Sequence, residues 1–511
     1  MRARRDFYIF LLVHFVVWTL VPLMKGNLHP DALEAIDWGM LGGWVNDKHP
    51  PLSGFLANLF FQAFGRLDMG IYVLSQLCML ATFAYVYKLA KLLLDDEAKA
   101  AASAMLLEGV VYYAMTASDQ YNCNIVSVPL WAAAAYYFYR ATHTSSVIPA
   151  PTSLRRGTEP ESSAKTCRTA AALRDWLLLG LAAGLAALDK YSCVFLFVPM
   201  AAYMLASKGA RKRLAQPGPY LCAAIALALF APHAYWMYRT DFASLQYMMQ
   251  VEYNSSYGAW TRIVEPLRFV AGQLASCLGA ITIYTVARSR TKEAKLERKA
   301  RGDTLFLYMM AFGPFAALVL HSVATNTNLP TMWGIPLLFS AGIALFYFFP
   351  MRMTGRAFSV IRSGAYAMMA FFAAISIVRY ARSDGHRIYF PREEFIARIY
   401  GEWNARAGGA PLSYVTGNIW YASVMSVYGA GNPRTILCVD RHYRRELTPA
   451  ELAERGIAIF GSSEDEVRAR QEELGLSLPV EKSSFEVRSP LGRTARYDFY
   501  YTMAPPEHGH D

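Results

Sequence analysis

The chain has 511 residues, of which 54% are hydrophobic and 17% charged, and its formal net charge is +11. A soluble globular chain carries nearer a quarter charged residues, and here the polarity is segregated: nearly chargeless stretches of about twenty residues alternate with short basic loops. This excludes an ordinary soluble domain, and it excludes a nucleic-acid surface, because the Lys and Arg residues sit where they orient membrane spans.

The first apolar run, 7–24, follows the basic start Met1-Arg-Ala-Arg-Arg-Asp6. No small-residue cleavage site follows it and many further spans do, so it reads as a first transmembrane helix. Further spans are expected at 70–92, 97–116, 124–141, 175–189, 191–207, 218–237, 266–287, 304–322, 333–350 and 360–380. That makes about eleven, with the short fifth and sixth open to being one broken pair. With the amino terminus in the cytoplasm, the cytoplasmic loops hold Arg155, Arg156, Lys208, Arg211, Lys212, Arg213, Arg288, Lys292, Arg352 and Arg356. The opposite loops hold only scattered cations such as Lys25, Lys48, Arg239 and Arg262. The positive-inside rule is met almost throughout, and it leaves the carboxy-terminal segment outside. The seven cysteines show no CxxC spacing and read as small buried hydrophobes, with neither a disulfide framework nor a zinc site.

Three segments are not spans. Residues 142–174 are Ser/Pro/Ala/Arg-rich and expected to be a flexible loop. Residues 25–69 form a long first outer loop. Residues 381–511 have soluble composition, with short apolar runs at 412–415, 435–439 and 457–460 between helical patterns at 389–406, 449–455 and 463–474. That rhythm predicts a small outer α/β domain, beside a transmembrane module over 1–380.

The first outer loop concentrates the chemistry: Asp31, Glu34, Asp37, Asp47, Lys48 and His49, with Trp38 and Trp44. Asp31 and Glu34 are spaced to share one helical face, and Pro30 suits a first helical turn. The apolar helix expected at 52–64 is too short to span and belongs in the interface. The plainer reading makes these acids solvated loop residues and His49-Pro50-Pro51 a stiff turn, and on chemistry alone the two readings balance. Lys190, beside Asp189 at the outer end of a span, is costly there unless functional or paired; an Asp189–Lys190 anchor is the plainer alternative. Glu108 lies inside the third span with no evident neighbour. His14, His233 and His321 read as packing or interface residues. Arg239 and Asp241, just after the seventh span, either hold a phosphate or cap the helix.

An acid in the first outer loop followed by His49-Pro50-Pro51-Leu52 and an apolar half-helix resembles the polyprenyl-phosphate-dependent glycosyltransferases of the GT-C fold. More narrowly, it resembles the group joining protein O-mannosyltransferases with the aminoarabinose and galacturonic acid transferases of lipid A. The likeness extends to Ser118-Asp119-Gln120-Tyr121-Asn122-Cys123-Asn124, Leu188-Asp189-Lys190-Tyr191-Ser192, Ala231-Pro232-His233-Ala234-Tyr235-Trp236 and Gly417-Asn418. The resemblance implies a polytopic membrane enzyme of the bacterial inner membrane that transfers a sugar, with inversion, from a polyprenyl phosphate to a lipid or glycan acceptor, lipid A or lipopolysaccharide first, with protein O-glycosylation as the alternative. Asp31 would be the base and Glu34 a second base or acceptor-positioning residue. Lys48, His49, Lys190 and Arg239 would contact the donor phosphate, and Tyr191, Asp119 and Asp241 would line the substrate cavity. Some members carry Lys where this chain has His49. No cofactor or metal is required, with a bound divalent cation left open, and the protein is expected to act as a monomer among membrane lipids. A transporter or flippase is the rival from another class, but neither related halves nor matched broken helices are evident. A structural membrane protein with dispensable loop acids is a second rival.

Overall fold

The structure is a computed structural model that describes residues 2–44, 46, 48–147, 161–252, 260–291, 301–383, 386–436 and 448–506. Asp47, of the first-loop acids, lies outside the described residues.

Most of the chain is helical. Among the described residues, five helices are long and apolar enough to cross a membrane: Arg2–Met24, Met69–Leu94, Ala170–Asp189, Pro217–Arg239 and Gly355–Arg382. Five more stretches qualify only as bent pairs, such as Glu97–Gly109 with Val111–Asp119 at 87° and Thr331–Leu338 with Ala341–Phe348 at 61°, which gives up to ten spans. The remaining expected span, 124–141, lies within the helix Cys123–Val147. Its tyrosines, Arg140 and an internal Pro129 keep it from matching the apolar character of the others. The expected loop 142–174 is corrected in part, because the helix Glu161–Asp189 begins inside it; Glu161 at its start and the alanines that follow favour helix there. That helix and Val194–Ala206 are separate, and Lys190 sits at the break in extended backbone (φ −156°, ψ 135°).

Buried polar pairs stitch the helices together. Glu108, without an evident neighbour in sequence, accepts from Trp18 Nε1 at 2.8 Å and lies 2.6 Å from His14 Nδ1, all within the core. An intramembrane carboxylate is tolerable only with such partners. Asp189 does not pair with Lys190; it accepts from Ser127 Oγ at 2.5 Å and ties its helix to Cys123–Val147.

Two short helices carry the first outer loop: α1 (Pro30–Leu41) and α2 (Leu52–Ala63), separated by a turn, lead into the long span from Met69. They pack tightly because Gly39 and Gly54 meet at the crossing, where a Cβ on Gly39 would sit 2.1 Å from the Gly54 carbonyl oxygen. Gly42 ends α1 in the left-handed conformation (φ 67°), which glycine adopts without strain.

The carboxy-terminal region forms a five-stranded sheet, β1 (Tyr414–Gly417), β2 (Arg434–Ile436), β3 (Ile457–Gly461), β4 (Glu481–Arg488) and β5 (Thr494–Ala504), in the order β2-β1-β3-β5-β4. The first three strands are parallel and β5 is antiparallel to both its neighbours. A helix between β1 and β2, Ile419–Tyr428, is capped by Asn418 and docks on α1, where Ser426 Oγ donates to the buried Asp37 carboxylate. Burial pushes the Asp37 carboxyl up to about 6 despite that hydrogen bond.

Candidate active site

The acids of α1 are positioned by ordinary helix-start chemistry. His29 caps the helix by accepting from the Asp31 amide at 3.3 Å, Pro30 follows, and Asp31 occupies the first turn, where the helix dipole favours a carboxylate. Asn122 Nδ2 donates to Asp31 Oδ2 at 3.0 Å, and the Asp31 side chain keeps 35% of its exposure. One turn on, Glu34 is almost buried and is ion-paired with Lys48. Burial raises the Glu34 carboxyl to about 7, while Lys48 pulls in the opposite direction. Burial likewise opposes the charge of Lys48, but Glu34 outweighs it and the Lys48 pKa rises. The turn that presents Lys48 and His49 is held by Asn46, whose Oδ1 accepts from the Lys48 amide at 3.0 Å and the His49 amide at 2.6 Å.

Two cavities meet on this frame. The larger, about 410 Å³, is lined by Lys48, His49, Lys190 and Tyr191 together with Phe195, Tyr247 and Trp333. The smaller, about 200 Å³, is lined by Asp31, Glu34, Asn122, Asn124 and Ser53. Lys48, His49, Lys190 and Trp333 belong to both and form the wall between them. Lys190 Nζ donates to Asn124 Oδ1 at 2.7 Å and lies 5.4 Å from the centre of the Trp333 ring. No carboxylate pairs with it among the described residues, although it is 92% buried. His49 is held neutral: burial, then the charges of Lys190 and Lys48, lower its pKa to about 3. It therefore offers a hydrogen bond rather than the positive charge expected of a phosphate contact.

The structure thus gathers Asp31, Glu34, Lys48, His49, Lys190 and Tyr191, and it separates the other three candidates from them. Asp119 lines neither cavity. It is paired with Lys25, accepts from Arg379 Nη2 at 2.7 Å and from Tyr380 at 3.2 Å, and so welds the ends of the first and last spans. Arg239 is exposed at its helix end, donating to Tyr235 at 3.2 Å. Asp241 is exposed too, with φ 49°, in the turn that leads into the next helix, Ala243–Glu252. Neither lines the cavities, because the chain reverses there and carries both side chains outward. Trp333, Asn122 and Asn124 are the site residues that sequence reasoning did not single out. The two asparagines lie in the 118–124 motif, three and five residues beyond Asp119. No group of three or more His, Cys, Asp or Glu side chains converges as a metal site among the described residues.

A family model described as dolichyl-phosphate-mannose-protein mannosyltransferase matches residues 48–148 and 164–236, a stretch that includes Lys48, His49 and Lys190. No curated protein matches the sequence. Among solved structures, ArnT from Cupriavidus metallidurans bound to undecaprenyl phosphate superposes with a TM-score of 0.57 at 13% identity, covering 97% of each chain. The same protein in its apo state gives 0.58 at 13% identity, covering 98% of each. At that identity the likeness speaks for the fold, and the chain has the GT-C fold: a helical multi-pass membrane bundle followed by a small sheet region.

Proposed function

We propose that this chain is an inverting glycosyltransferase that moves a sugar from a polyprenyl phosphate to a hydroxyl of an envelope acceptor at the outer face of the bacterial inner membrane. The observation that carries the reading is Lys190, a buried cation with no described carboxylate partner on the wall between an apolar cavity and a carboxylate-bearing one. A buried unpaired charge is costly, and an anionic ligand would compensate it. The ArnT structure bound to undecaprenyl phosphate supports a lipid phosphate as that anion, and the mannosyltransferase model match supports sugar transfer.

In this reading the lipid lies along the larger cavity, past Phe195 and Tyr247, with its phosphate at Lys190 and Lys48. The sugar enters the smaller cavity. As the bond from the anomeric carbon to the phosphate oxygen breaks, negative charge grows on the phosphate, and the two ammonium groups stabilise it in a dry site. No proton donor to the leaving group is then needed. Asp31, partly exposed and oriented by Asn122, takes the proton of the acceptor hydroxyl as it attacks from the opposite side. Glu34 serves chiefly to hold Lys48, and His49 supplies a neutral hydrogen-bonding group.

The acceptor proposed first is lipid A or another lipopolysaccharide component, with a protein hydroxyl as the second reading, favoured by the family-model match. The sidedness proposed is a cytoplasmic amino terminus and a periplasmic sheet region. The test is mass spectrometry of envelope lipids and proteins from cells expressing the wild type or Asp31→Asn. Loss of one glycosylated species with normal accumulation of the variant is expected; full transfer by Asp31→Asn would remove the catalytic assignment.

A further inference from the structure

His233 reads in the sequence as a packing histidine, yet three walls of the larger cavity converge on it. Its Nδ1 lies 2.6 Å from the Trp44 carbonyl oxygen, in the loop that leads to Lys48 and His49. Its Nε2 lies 2.9 Å from the Tyr191 hydroxyl, next to Lys190. That hydroxyl is in turn 2.7 Å from Ser244 Oγ, on the helix whose Tyr247 and Met248 line the cavity. His233 and Ser244 are both fully buried.

The chemistry of the partners fixes the direction of these bonds. A carbonyl only accepts, so His233 Nδ1–H donates to Trp44, and the other nitrogen of the neutral ring accepts. Tyr191 therefore donates its single proton to His233 and receives one from Ser244. The relay runs Ser244 to Tyr191 to His233 to Trp44. Asn46, close to Trp44 in the chain, holds the Lys48–His49 turn through its side chain. Phe230, at 5.1 Å, packs edge-on to the imidazole and closes the remaining side.

We infer that His233 is a positioning residue for the donor site: through this relay it sets the lysine wall, the Tyr191 wall and the helix Ala243–Glu252 against one another. The inference rests on the glycosyltransferase reading. It adds a residue that touches neither phosphate nor sugar but determines how well the lipid phosphate is seated. A group that only packs would lower the melting temperature and leave the kinetic constants alone. A positioning group raises the donor KM, and its effect is shared with its relay partners.

The test uses full-length protein in lipid nanodiscs, with polyprenyl phosphate binding and sugar transfer measured for wild type, His233→Phe, Tyr191→Phe, Ser244→Ala and the double variants. One lost hydrogen bond corresponds to about a tenfold change. The expected result is a donor KM raised about tenfold in His233→Phe and Tyr191→Phe, little change in kcat, and a double variant no worse than either single one. Ser244→Ala, a small deletion at the end of the relay, keeps the test available if the buried histidine cannot be replaced. Additive effects, or an unchanged donor KM in folded variants, would overturn the positioning role while leaving the functional reading standing. A wild type that binds no polyprenyl phosphate would overturn both.

Discussion

Lys25 and Lys190 are buried to almost the same degree, with 7% and 8% of their surface exposed, yet their surroundings are opposites. Lys25 is paired with Asp119, which also holds Arg379 and Tyr380, and it lies 5.5 Å from the ring of Tyr72 and 5.9 Å from that of Tyr380. Lys190 has a carboxamide and an indole ring, and otherwise faces two cavities. The first cluster is closed upon itself and holds helices together. The second leaves an ammonium group without a paired carboxylate among the described residues where a ligand has room, and this contrast is what the proposed phosphate site rests on. Burial of charge therefore separates into structural and functional kinds by what completes the charge.

The largest effect that tests this contrast is expected at Lys190. Replacement by Met removes a desolvated charge, so the melting temperature should hold or rise, while sugar transfer falls by about 10²-fold or more. A parallel loss of both would place Lys190 in the same class as Lys25. Asp119→Asn should behave in the reverse way. It leaves Lys25 buried without its carboxylate and costs about 3–5 kcal/mol of stability, read as a lower melting temperature in detergent. Activity per folded molecule should be close to wild type, and adding Lys25→Met should recover part of the stability.

A smaller effect is expected where the sheet region meets α1. Asp37 has a carboxyl pKa raised to about 6 in the folded chain, against 3.8 without burial. The fold thus disfavours its charged form, and no penalty exists below about pH 4. Stability should fall as pH rises between about 4 and 6, by on the order of 3 kcal/mol, and then level off. Asp37→Asn should flatten that slope in melting curves taken from pH 4 to 7. The smallest effect is expected at His49, neutral well below physiological pH. His49→Gln should leave the shape of the pH–rate curve between about pH 5 and 8 unchanged; an inflection lost on substitution would mean that His49 carries a charge in the working enzyme.

Much of the fold was legible because membrane insertion depends on local composition, which twenty-residue apolar stretches and basic loops reveal directly. The strands around 414, 435 and 457 were legible as apolar runs, whereas the β4–β5 hairpin was not, since residues such as Lys482, Ser484 and Arg496 give it a polar alternation. In the site, Asp31, Glu34, Lys48 and His49 fall within one loop, so their grouping was readable. Lys190 stood out as an ionisable residue at a span end. The roles of Asp119 and Trp333 were not readable, because each is decided by a partner far away in the chain: Lys25 is 94 residues from Asp119, and Lys190 meets Trp333 only through tertiary packing. A carboxylate at the outer end of a span reads the same whether it faces a substrate or an ion pair.

The most direct measurement is equilibrium binding of polyprenyl phosphate to purified protein in nanodiscs, comparing wild type with Lys190→Met and Asp119→Asn. Weakening confined to Lys190→Met, by about 2 kcal/mol or more as expected for a truncated buried charge contact, is the predicted result. Equal affinity in wild type and Lys190→Met would contradict the claim that this lysine is kept unpaired for the lipid phosphate.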